Sequence, residues 1–91
     1  MARFTKEEAE AVKRLLQYAE HKDFVADLIL NGYDGARPVS MRRVMRYAAG
    51  ETSGSTYRAD VFVLLGLMER GVESHEVIGY AAIEYLISRW K

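Results

Sequence analysis

The stretch Val61-Phe62-Val63-Leu64-Leu65-Gly66-Leu67-Met68 is the most apolar part of this 91-residue chain. Successive residues of a helix are about 100° apart, so these side chains would point in every direction around it, as in a buried helix. A run of this kind is also compatible with a buried strand. Because no second strand pattern occurs to pair with it, we predict a helix over residues 56–70, ended by Gly71, at the centre of the fold.

Two helices are predicted on the N-terminal side of this segment. Thr5 and Glu8 have the spacing of a capping box, which marks a helix start. Apolar residues at helical spacing follow it, and the pattern breaks near residues 21–23 and restarts at Phe24. The second helix is expected to end at residues 31–32, where Gly32 would adopt a left-handed conformation.

A third helix is predicted after the loop over residues 32–39. Ser40 is a good N-cap for a helix over residues 41–49, closed by Gly50. The helical period places three arginines on one face and the apolar residues on the other, where they are expected to be buried. The outward residues are Arg42, Arg43 and Arg46, and the inward ones are Met41, Val44, Met45 and Ala48.

The last predicted helix covers residues 75–90 and is capped by Ser74. Its apolar residues occupy more of the circumference than one small core needs, so we expect a homodimer through this helix. The alternative to this dimer is a monomer in which the last helix packs between the first and central helices. In total the sequence predicts a single all-α domain over residues 1–91, a compact bundle of about five helices.

The composition excludes several classes of protein. Hydrophobic residues make up 49% of the chain and there is no cysteine, which excludes an unfolded chain, disulfides and thiolate metal sites. No signal peptide or membrane-spanning segment is recognised, so a cytoplasmic protein without membrane contact is expected. Since the sequence contains no nucleophile–base pair, metal-ligand spacing or phosphate-binding loop, we predict no enzyme activity, catalytic residue, metal or cofactor.

The charges are unevenly distributed although the chain is neutral overall. Residues 37–58 contain five arginines and one acidic residue. Arginine binds phosphates and can donate two hydrogen bonds to one guanine in the major groove, so this basic segment is a candidate surface for double-stranded DNA. The alternative is that the same arginines pair with the acidic segments on either side. The five are Arg37, Arg42, Arg43, Arg46 and Arg58.

The segment over residues 40–51, Ser40-Met41-Arg42-Arg43-Val44-Met45-Arg46-Tyr47-Ala48-Ala49-Gly50-Glu51, resembles the recognition helix of phage-repressor-type (Cro-like) helix-turn-helix proteins. The resemblance implies a transcription regulator whose DNA contacts come from Ser40, Arg42, Arg43 and Arg46. That family joins its two DNA-reading helices by three or four residues, whereas eight separate Asn31 from Ser40 here. The turn is then either expanded or the match accidental.

The sequence leads to two hypotheses for the function. The first is a small DNA-binding regulator that uses the helix over residues 40–49, with Arg37 and Arg58 contributing. The second is an adaptor or inhibitor that binds a protein partner through the same arginines and nearby tyrosines without contacting DNA. Arginine, tyrosine and tryptophan are the residues enriched at the energetic centres of protein interfaces, and methionine is enriched at interfaces.

Overall fold

The computed structural model describes residues 3–48 and 58–90, with the backbone alone for residues 47 and 48. Along these parts of the chain the secondary structure is entirely helical, and the predicted all-α bundle is confirmed. No helix in them is both long and apolar enough to cross a membrane. The helices are α1 (Lys6–Tyr18), α2 (Asp23–Asn31), α3 (Met41–Ala48), α4 (Arg58–Glu69), α5 (Ser74–Ile78) and α6 (Tyr80–Arg89).

Helix α1 begins at the predicted capping box. The Glu8 amide donates to the Thr5 hydroxyl at 3.1 Å, and the Thr5 amide donates to the Glu8 carboxylate at 2.8 Å. The two bonds satisfy amides that a helix start leaves without a partner inside the helix. The helix ends before the predicted break, and its buried side, which includes Val12 and Leu15, packs most extensively against α4.

The most buried helix is α2, which corrects the prediction that the helix over residues 56–70 is central. Six of the nine α2 side chains are at most 2% exposed: Phe24, Val25, Ala26, Leu28, Ile29 and Leu30. In α4, Leu64 and Leu67 are buried, but Phe62 remains 47% exposed. The apolar pattern of α4 runs all round the helix, whereas its neighbours cover only part of its surface. The predicted first residues of this helix, 56 and 57, lie outside the described residues.

The predicted helix over residues 75–90 is two helices, because Gly79 interrupts it. Gly79 has φ +86° and ψ 159°, a conformation that is essentially restricted to glycine. The predicted cap also shifts by one residue, from Ser74 to Glu73. The Glu76 amide donates to the Glu73 carbonyl at 3.0 Å, and the Glu73 amide donates to the Glu76 carboxylate at 2.7 Å. Gly71, with φ +81°, follows α4 as predicted.

Ser74 is a buried link between α5 and the end of α2. Its hydroxyl donates to the Ile29 carbonyl at 2.6 Å, and its amide donates to the Gly32 carbonyl at 3.0 Å. Gly32 itself has φ −69°, so the expected left-handed cap is wrong. Glycine fits this position for reasons of space, because an added Cβ would collide with the Ser74 hydroxyl unless one of them shifted.

Candidate binding surface around α3

Helix α3 is attached to the bundle by one buried side chain. The Ser40 hydroxyl accepts a hydrogen bond from the Arg43 amide at 3.2 Å, which is the N-cap that the sequence predicted. Val44 is 9% exposed and belongs to the hydrophobic core. Only this residue of the described α3 side chains is buried, and four of the other five are exposed. The predicted closing residues Gly50 and Glu51 lie outside the described residues.

The loop over residues 32–39, which leads into α3, is held by side-chain hydrogen bonds. The Asn31 amide group donates to the Arg37 carbonyl at 2.8 Å. The Arg37 guanidinium donates to the Asp27 carboxylate at 2.8 Å and 3.2 Å, and to the Trp90 carbonyl at 3.5 Å. Arg37 therefore fixes the loop against α2 and the end of α6, and its charge is already compensated by Asp27.

Arg43 is also engaged within the protein. Its guanidinium donates to the Asp23 carboxylate at 3.1 Å and lies 5.0 Å from the centre of the Phe24 ring. The hydrogen bond from Arg43 is the main cause that lowers the pKa of Asp23 below its ordinary value. The ion pair joins the start of α2 to α3 and helps to set the orientation of α3.

The six residues predicted to contact DNA thus have different positions in the structure. Arg37 and Arg43 form ion pairs inside the protein, and the Ser40 hydroxyl caps α3. Their arrangement matches the alternative in which the arginines pair with acidic residues of the flanking segments. Arg42 and Arg46 are exposed on α3, four residues apart and therefore on one face, while Arg58 is exposed at the first position of α4.

The positions of Met41 and Met45 differ from the prediction. They were expected to be buried beside Val44, yet they are 67% and 62% exposed. A helix of eight residues that meets the core through Val44 leaves the flank carrying these methionines in solvent. The pairing of exposed methionines with arginines on one short helix is typical of a protein-binding surface.

A groove of about 480 Å³ lies between α3, α4 and the loop over residues 32–39, and of the two exposed methionines of α3 it is Met41 that lines it. Its size lies in the range of ligand-binding clefts in proteins. Most of its lining is apolar, and the only charged side chain that the described residues contribute to it is Arg37. We call this cleft the α3 groove. Its lining residues are Leu28, Asn31, Gly35, Ala36, Arg37, Pro38, Val39, Met41, Val44, Leu65 and Met68.

A separate aromatic cluster of Tyr33, His75 and Tyr80 lies outside this surface. The His75 ring stacks on Tyr80 with centroids 4.6 Å apart and meets the edge of Tyr33 at 5.3 Å. In residues 3–48 and 58–90, no three histidine, aspartate or glutamate side chains are grouped so that they could hold a metal ion. His75 is therefore part of a packed cluster with Tyr33 and Tyr80.

The fold and the surface define a small all-α protein with an exposed helix that carries methionines and arginines. Comparison of the chain with protein-family models, with curated proteins and with solved structures finds no match.

Proposed function

We propose that the protein is a binding module that holds a segment of a partner protein in the α3 groove. The observation that carries this proposal is the exposure of Met41, which lines an apolar cleft, and of Met45, which lies one helical turn further along α3. Unbranched methionine side chains adapt to the shape of a bound partner, which is why they are frequent on surfaces that bind peptides. Covering the exposed part of the two side chains contributes about 1–2 kcal/mol each.

A selection from a peptide library tests this function and requires no identified partner. Random peptides of about 16 residues, long enough for roughly four helical turns, are displayed on phage and selected on the immobilised chain. Peptides that occupy the α3 groove are expected to lose at least about 30-fold in affinity for the variant carrying Met41→Ser and Met45→Ser, as the lost burial of two side chains requires.

The matched control for this selection is Phe62→Ser, which removes an exposed apolar side chain that does not line the α3 groove. Selected peptides should bind this variant as they bind the wild type. The proposal is wrong if no peptide is enriched, or if the enriched peptides bind the double methionine variant and the wild type equally.

Binding to double-stranded DNA is the second candidate function. It is favoured by the exposure of Arg42 and Arg46 on one face of α3, the helix that resembles a Cro-like recognition helix. Fluorescence anisotropy with a mixed-sequence duplex at about 50 mM salt, where contacts to phosphates are strongest, tests it. Replacing both arginines by alanine should then abolish binding, whereas a wild type that does not bind under these conditions rejects DNA binding.

Self-association through the C-terminal helices also remains part of the proposal. Tyr80 and Ile87 lie seven residues apart on one face of α6 and are 58% and 41% exposed. Tyr33 extends this face, since its ring lies 6.0 Å from that of Tyr80. Tyr33, Tyr80 and Ile87 do not line the α3 groove, so a symmetric dimer through these residues would use a different set of side chains.

A further inference from the structure

The arginines of α3 lie beside the methionines, so the charge of a partner should affect how well it binds the α3 groove. Residues four apart lie on the same side of a helix, so Met41 and Met45 form one row and Arg42 and Arg46 the next. At about 100° per residue, the arginine row borders the methionine row on the side away from the buried Val44. A segment that covers the methionines therefore reaches the arginines with its outer edge.

The floor of the α3 groove offers apolar contacts, and the described residues contribute no negative charge to its lining. Leu28, Val39, Leu65 and Met68 line it, and no acidic side chain of the described residues does. The one charged residue in this lining, Arg37, is bonded to Asp27. The groove is therefore suited to uncharged apolar side chains, and the charge that an occupant meets at the edge beside the methionines is positive.

The backbone of the occupant also has to be considered. The described residues contain no β-strand, so they offer no sheet edge with which an extended peptide could pair. A helix satisfies its own amide and carbonyl groups and needs only side-chain contacts from its receptor. A helix laid into an apolar groove, with apolar residues at every third or fourth position, fits these conditions.

From this arrangement we infer that the α3 groove binds an acidic amphipathic helix of a partner protein. The apolar face of that helix contacts Met41, Met45 and the groove, and glutamates or aspartates along its edge pair with the exposed Arg42. This inference rests on the function proposed above, and it adds the chemistry of the partner and the role of the arginines.

Two synthetic peptides of about 18 residues, roughly five helical turns, test the inference. Both carry leucines at helical spacing, and they differ in having glutamates or lysines at the positions that flank the leucines. Fluorescence anisotropy at about 50 mM salt should give an affinity for the glutamate peptide about tenfold above that for the lysine peptide, since single exposed ion pairs are weak. Raising the salt to about 300 mM should reduce this difference by screening.

Charge reversal identifies the arginine row. Arg42→Glu should lower the affinity for the glutamate peptide and raise the affinity for the lysine peptide. Lys13→Glu, the matched control, changes the net charge of the chain by the same amount at an exposed position of α1, so it should leave the ratio of the two affinities unchanged. The variant Met41→Ser should lower the affinity for both peptides by the same factor.

Each other outcome overturns the inference in a recognisable way. Equal affinity for the two peptides, with loss of both in Met41→Ser, rejects an acidic partner and leaves the groove as a binding site. Binding of neither peptide rejects a helical partner, whereas the library selection decides separately whether the groove binds any peptide. If duplex DNA displaces the labelled glutamate peptide at a lower concentration than the unlabelled glutamate peptide does, the arginine row binds nucleic acid instead.

Discussion

Replacing Gly32 by alanine should destabilise the protein, although the backbone at this position suits alanine. Gly32 follows α2 with φ −69° and ψ −12°, which is an ordinary helical conformation. In such a conformation, glycine to alanine stabilises a protein by about 0.4–1 kcal/mol, because the unfolded chain loses freedom. The new Cβ would, however, collide with the hydroxyl of Ser74.

The magnitude follows from how firmly Ser74 is held. Its side chain is 1% exposed, its hydroxyl is bonded to the Ile29 carbonyl, and its amide is bonded to the Gly32 carbonyl. Relief of the collision requires the loss of the hydroxyl bond or a separation of α2 from α5. Overpacking of this kind costs about 1–3 kcal/mol, so we expect Gly32→Ala to lower the free energy of unfolding by about 1–2 kcal/mol.

A double-mutant cycle with Ser74→Ala separates the collision from other effects. Ser74→Ala alone should cost about 0.5–1.5 kcal/mol for the lost hydrogen bond. The Ile29 carbonyl keeps another donor, since the Gly32 amide lies 3.1 Å from it. In the Ser74→Ala background the colliding oxygen is absent, so Gly32→Ala should become nearly neutral or stabilising.

Urea unfolding followed by far-ultraviolet circular dichroism measures all four proteins of the cycle. We expect a coupling free energy of about 1–3 kcal/mol between the two positions, as for residues in direct contact. The same cost of Gly32→Ala in both backgrounds would refute the reasoning. It would mean that Ser74 does not occupy the space beside Gly32.

Three further predictions concern the core, the pH dependence and the oligomeric state. Leu64→Ala should cost about 2–5 kcal/mol in thermal unfolding, because this side chain is 1% exposed, and Leu65→Ala should cost less because Leu65 is only partly buried. Hydrogen bonds from Arg70 are the largest cause that lowers the pKa of Glu8 from 4.5 to about 2. The stability that ionised Glu8 contributes should therefore be complete above pH 4.5 and disappear as the pH falls through about 2, so urea midpoints of the wild type and Glu8→Gln should converge in acid. Sedimentation equilibrium should show a dimer that Ile87→Glu dissociates.

Each of these predictions has its own contradicting result. Equal losses for the two leucine variants would mean that α4 is as central as its sequence suggested. A constant difference between wild type and Glu8→Gln across the acid range would show that the pKa of Glu8 is the same in the folded and unfolded chains. A monomer at all concentrations would remove the dimer from the proposal and leave the α3 groove unaffected.

The sequence predicted well those features that depend on neighbouring residues. The start of α1 follows from Thr5 and Glu8, and the start of α3 from Ser40, because each cap is formed within one turn. The interruption of the helix between α1 and α2 follows from a shift in the helical phase of the apolar residues. The all-α class follows in the same way, since helical spacing is a property of each segment alone.

The candidate surface was predictable only in part. The arginine row of α3 could be read from helical spacing, and the exposure of Arg42 and Arg46 agrees with it. The ion pair of Arg43 with Asp23 joins residues twenty positions apart in the chain, so no local pattern contains it. The sequence indicates that such a pair is available, and the packing of α3 on α2 decides that it forms.

The sequence by itself thus determined where most helices start, that the described fold is all-α and which side chains share a face. Only the tertiary structure decided that α2 is the most buried helix, that Ser74 is a buried link, and that Met41 and Met45 stand in solvent. The physical reason is that periodicity describes one helix, whereas burial depends on how many neighbours cover it. A short helix that meets the core through Val44 leaves Met41 and Met45 exposed to solvent.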